Sequence, residues 1–187
     1  MTLRFFYACP LAVFLLSGCQ LDTRHAFVDY TGNDAAKIRV LDKGTIGLKV
    51  YEKSGDCYKE VDARKLTSTF HLSLLTQADY SVGTTKTVGM IPSEKFKGKS
   101  VKEYIIKSGQ YLEIINSLQE TKYNGTTEMH HHSTYFVPES NHQYEIHAEL
   151  SEYNYSPVAV TIEDLTSKDP IKGWTGTICK KSGFFSF

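Results

Sequence analysis

From Ala36 onward the apolar residues recur at every second position. Ile38 and Val40 alternate with Lys37 and Arg39; Ile46, Leu48 and Val50 with Gly47, Lys49 and Tyr51; Phe70, Leu72 and Leu74 with Thr69, His71 and Ser73. A period of two places one side-chain set on each face of an extended chain, so these stretches are strands with one face buried. Further strands are expected at Thr87–Ile91, Val101–Ile106, Gln110–Leu118, Thr134–Val137 (stopped by Pro138), Gln143–Leu150, Val158–Ile162 and Thr175–Cys179. Ser108-Gly109 reads as a tight hairpin turn, and Asn124-Gly125 is the strongest two-residue hairpin signal in the chain. No long helix is expected. The best helical stretch, Ser93–Val101, is weakened by Gly98.

Many short strands separated by turn signals make an all-β protein, a sandwich or a partly open barrel. The pattern resembles the single immunoglobulin-like or transthyretin-like β-sandwiches common among periplasmic lipoproteins, a likeness of fold that carries no function with it. The sandwich is expected over residues 35–187.

The first twenty residues are of a different kind. Arg4 precedes an apolar run, Phe5 to Leu16, broken only by Pro10. The run is too short to span a bilayer, which takes about 20 apolar residues, and it has the length of a signal-peptide core. Leu16-Ser17-Gly18-Cys19 follows it. This resembles the lipobox of bacterial lipoproteins, in which the signal is cut before the cysteine and the thiol carries diacylglycerol. The resemblance implies a signal peptide at 1–18, a lipidated Cys19 bearing palmitate-class acyl chains, and a polar tether at 19–34. Two or more acyl chains hold a protein stably at a membrane. Residue 20 is glutamine rather than the aspartate that resembles an inner-membrane retention signal, so the resemblance leans toward the outer membrane, periplasmic face. An ordinary secretory signal with a chance cysteine is the alternative.

Cys9 leaves with such a signal and Cys19 is taken by lipid. Cys57 and Cys179 remain, an even pair in an oxidising compartment, and a disulfide between them is expected. Neither lies in a C-x-x-C, which argues against a redox or metal-binding thiol pair.

Lys+Arg and Asp+Glu balance at 21 each. Such a chain has no basic stripe for nucleic acid or anionic lipid, so the lipid anchor is the expected link to the membrane. Gly98-Lys99-Ser100 ends like a phosphate-binding loop, but Ser93 stands where its first glycine belongs. No serine-hydrolase, zinc-protease or EF-hand signature is present, and the chain reads as non-enzymatic, without a cofactor.

One constellation stands out, Glu128-Met129-His130-His131-His132 after the Asn124-Gly125 turn. On a strand, Glu128, His130 and His132 share a face, and two imidazoles with a carboxylate suit zinc or copper. Counting outward from a two-residue turn sets Thr121 opposite Glu128, Gln119 opposite His130 and Ser117 opposite His132. None of those is a strong ligand, so closure needs His71, His142 or His147. Adjacent histidines are a compositional signal only, and an exposed polar hairpin is the preferred reading. The 12 tyrosines and 10 phenylalanines are mainly packing residues, with exposed ones suited to a partner protein of the envelope. The final Gly183-Phe184-Phe185-Ser186-Phe187 reads as a packed last segment or an aromatic docking patch.

Overall fold

The computed structural model describes residues 27–41, 45–67, 85–121, 125–148 and 159–180. Among them are eight strands and no helix: β1 Ala35–Leu41, β2 Thr45–Ser54, β3 Cys57–Lys65, β4 Val101–Lys107, β5 Tyr111–Thr121, β6 Thr127–Phe136, β7 Gln143–His147 and β8 Thr161–Asp164. They form two four-stranded sheets, ordered β4-β1-β7-β8 and β3-β2-β5-β6. All neighbours are antiparallel except β1 and β7. The all-β sandwich expected from the alternation is the fold.

The alternation also defines the core. Ile38 and Val40 of β1, Tyr104 and Ile106 of β4 and Tyr144 and Ile146 of β7 face Ile46 and Leu48 of β2, Leu112 and Ile114 of β5 and Phe136 of β6. Fully burying side chains of this size contributes roughly 1.5–3 kcal/mol each.

Several expected connections differ. Ser108-Gly109 does not close a hairpin, because β4 and β5 lie in different sheets. Gly109 takes a left-handed conformation at φ 72°, and the turn bonds elsewhere, Ser108 N–H to Asp34 O and Gly109 N–H to Pro138 O. Ile106 and Leu112 both point into the core from opposite layers. A pattern of inward residues looks the same whether the next strand pairs alongside or crosses the sandwich. β3 has no expected counterpart. It is an edge strand with a mixed polar sequence, joined to β2 by a turn at Gly55. Ser93–Val101 forms turns rather than a helix until β4 begins. The strand expected around Phe70, Leu72 and Leu74, and the terminal aromatic run, lie outside the described residues.

The strands expected at Thr87–Ile91 and Thr175–Cys179 are instead straps over the outer faces of the two sheets, each with one isolated bridge, Lys86↔Lys102 and Tyr58↔Ile178. Residues 171–179 cross β3-β2-β5-β6. Val137 N–H donates to Lys172 O, Tyr58 N–H to Thr177 O, and Cys179 N–H to Tyr58 O. A Cβ at Gly176 would lie 2.2 Å from the Tyr58 ring, so only glycine allows that approach. The Cys57–Cys179 disulfide ties this strap to the start of β3. Residues 27–31 run beside β4, with Tyr30 N–H bonded to Ile105 O, Ile105 N–H to the Asp29 carboxylate, and Phe27 edge-on to Tyr104.

Candidate functional site

Glu128, His130 and His132 lie on β6, in the hairpin with β5. The pairing is one residue from the expected register: Thr121 faces Thr127, Glu120 faces Glu128, Leu118 faces His130 and Asn116 faces His132. Thr121 and Thr127 therefore bracket an odd number of residues, five, where a two-residue Asn124-Gly125 turn requires an even number. The loop has an odd length, and Gly125 takes the left-handed position at φ 80°. A one-residue slip exchanges every cross-strand neighbour.

The three residues still share the face that carries Thr134 and Phe136 further along β6. There the hairpin runs past the core, so Glu128 and His132 are exposed and His130 is half-buried. His130 Nε2 is 3.7 Å from a Glu128 oxygen. His142 is engaged elsewhere, 2.7 Å from Asp164, and His147 belongs to the other sheet. His71 lies outside the described residues.

Among the described residues, the group of imidazole and carboxylate ligand atoms lying within 4.8 Å of one another is Glu145, His147 and Glu163. It sits at one end of a charged row on the outer face of β4-β1-β7-β8. Arg39 is flanked in register by Glu103 and Glu145, and Glu145 by Glu163. Arg39 donates to Glu103 at 2.7 and 2.9 Å and to Glu145 at 2.7 Å. These three charged residues are buried because the 85–98 strap lies over them. Val88 and Met90 N–H donate to Glu103, Arg39 to Ile91 O, Ile91 N–H to Gln143, and Ser93 Oγ–H to Glu145. Lys95 pairs with Glu163, and Phe96 packs on the His147 ring.

Burial alone pushes the Glu103 carboxyl up. The Val88 amide, the Arg39 guanidinium and the Met90 amide outweigh it and hold it below its ordinary value. The Lys95 ammonium lowers Glu163.

The other outer face is aromatic. Trp174 of the C-terminal strap packs among Tyr58, Tyr135, Tyr51 and Tyr111, ring centroids 4.6–5.6 Å away, and donates its indole N–H to Leu112 O. Tyr51, Ser133 and Tyr135 hydroxyls donate to Glu113. Burial, then the Glu113 carboxylate, pushes the Tyr51 phenol far above its usual range. Between the layers, beside the 27–31 segment, a cleft of about 340 Å³ opens onto Leu48, Val50 and Leu112, with Val61, Arg64 and Lys107 at its rim.

No family model, no curated protein and no solved structure matches this chain.

Proposed function

We propose that this chain is a lipid-anchored protein of the bacterial envelope, held at the outer membrane through Cys19, whose sandwich binds or scaffolds an envelope protein without catalysis. The observation that carries this reading is the pairing of a lipobox-like Leu16-Ser17-Gly18-Cys19 with a Cys57–Cys179 disulfide. A structural disulfide belongs to an oxidising compartment, where lipoproteins are delivered. The start of β6, with Met129 60% exposed, offers a surface suited to a protein partner.

The test is an intact mass of the protein extracted from membranes. A chain starting at Cys19 with acyl chains and two hydrogens fewer for the disulfide supports the reading. An unlipidated mass, or unchanged membrane partition of Cys19→Ser, refutes the anchor. Crosslinking from position 129 then tests the partner.

A second reading, zinc or copper binding through Glu128, His130 and His132, is favoured by the Glu128–His130 approach. His130→Ala would abolish it.

A further inference from the structure

Like charges directly opposite on neighbouring strands are destabilising. Glu145 and Glu163 are such a pair, Cα partners on β7 and β8. Glu145 is held in place. Its Oε1 accepts from Arg39, which it shares with Glu103, and its Oε2 accepts from Ser93. Its side chain is 1% exposed. His147 follows two residues later on the same face, with Nε2 3.8 Å from Glu145 Oε2 and 3.7 Å from Glu163 Oε2. Lys95 places its ammonium directly on Glu163 Oε2, and its side chain is 60% exposed.

We propose that Glu145 Oε2, His147 Nε2 and Glu163 Oε2 form a site for a divalent transition-metal cation, zinc foremost, with Lys95 as the ammonium that the metal displaces. Imidazole and carboxylate are zinc ligands, and three protein ligands with water in the fourth position is a known zinc arrangement. Metal–ligand bonds of about 2.1 Å in a tetrahedron set ligand atoms about 3.4 Å apart. The two imidazole–carboxylate distances therefore contract by only a few tenths of an ångström. The imidazole disfavours calcium and magnesium, which take oxygen ligands at higher coordination number.

The scaffold is graded in the right sense. Glu145 and His147 stand on an interior strand, with Arg39 and Ser93 orienting the Glu145 carboxylate as outer partners orient metal ligands. Glu163 is on the edge strand and 44% exposed, which leaves a path of entry. An exposed lysine on a flexible stem is a weak competitor. This site is on the opposite sheet from the β5–β6 hairpin and is independent of the anchor.

The test uses the mature chain with its disulfide intact, in a His130→Ala/His131→Ala/His132→Ala background that silences the exposed histidine run. Zinc is titrated against a chromophoric chelator, and cobalt(II) reports geometry by its visible bands. Expected are one zinc per chain, tetrahedral cobalt bands, and at least tenfold weaker binding in His147→Ala and in Glu163→Gln. Lys95→Ala, a change at an exposed residue, tightens binding several-fold, which a purely structural ion-pair row would not do. Thermal melts without metal check that each variant is folded. No zinc bound by the background, or equal binding with and without His147, overturns the proposal. Zinc bound by the wild type but lost in the background also overturns it, placing the metal on the hairpin.

Discussion

Arg39→Met tests the row beneath the 85–98 strap. The methionine stem fills most of the space of the arginine, so little cavity opens, and the loss is electrostatic. Arg39 makes two ion pairs of 2.7 Å, to Glu103 and Glu145, and all three side chains are at most 7% exposed. Without the guanidinium, two buried carboxylates face each other across β1. Removing one partner of a buried pair costs about 3–5 kcal/mol, because the remaining charge is uncompensated. The lost hydrogen bond to Ile91 O adds about 1 kcal/mol. With a urea m-value of about 2 kcal/mol/M, the midpoint falls by roughly 2–3 M at pH 7. The companion Arg39→Met/Glu103→Gln/Glu145→Gln removes the stranded charges and recovers a large part of that loss. Urea unfolding, with the disulfide intact and the m-value unchanged, is the assay. A loss under about 1 kcal/mol in Arg39→Met, or a triple variant less stable than the single, would refute the burial of this row as the source of its strength.

Trp174 is the chain's one tryptophan and is 8% exposed, so its emission is that of a buried indole; reduction of Cys57–Cys179 is expected to shift it to the red before global unfolding, and an unchanged spectrum in reductant would show that the strap holds without its staple. The disulfide spans a sequence separation of 122, for which loop-closure entropy gives about 5 kcal/mol; Cys57→Ala/Cys179→Ala should lower the free energy of unfolding by that order, measured by urea titration. Glu103 is held below its ordinary value of 4.5 in the folded protein, so the unfolded chain binds more protons. Stability is full above that value and falls as pH drops through it toward the folded value; the urea midpoint of Glu103→Gln should show a shallower acid slope, and an identical slope would refute the linkage. Phe136 is fully buried at the centre of the core, and Phe136→Ala should cost about 3–5 kcal/mol by thermal or urea unfolding.

The class of fold was legible because alternation survives in every core strand: Ile38/Val40, Ile46/Leu48/Val50 and Tyr144/Ile146 each mark a buried face. Partnership was not. Ile106 and Leu112 read as two arms of a hairpin although they face each other across the core, because a period of two records which side is inward and not which strand lies alongside. β3 was invisible for a related reason. As an edge strand, its Cys57–Lys65 run carries no continuous apolar face. The strap residues Val88 and Met90 have the composition of a strand, yet their amides bond a Glu103 side chain. The charged row was hidden by its own regularity. Arg39, Glu103 and Glu145 each occupy the outward half of an alternation, which reads as solvent-facing unless something covers it. Glu145-Ile146-His147 was visible in the chain, but the approach of Glu163 depends on the β7–β8 register. The histidine run was conspicuous by composition, and its neighbours depended on a loop of odd length.

The position of β1 gives the domain a mechanical character. Its seven residues lie between β4 and β7, with register partners on both sides. A pull transmitted along residues 27–34 in the direction of that strand meets its two ladders side by side. Its hydrogen bonds are loaded in shear, many at once, rather than opened one after another from an end. The Arg39 guanidinium, bonded to both neighbouring strands, acts as a cross-pin against sliding. At the far end of the described chain the disulfide closes the 171–179 strap to β3, so tension cannot peel it away without breaking a covalent bond. The fold would thus resist force applied through residues 27–34 along β1 by many hydrogen bonds together.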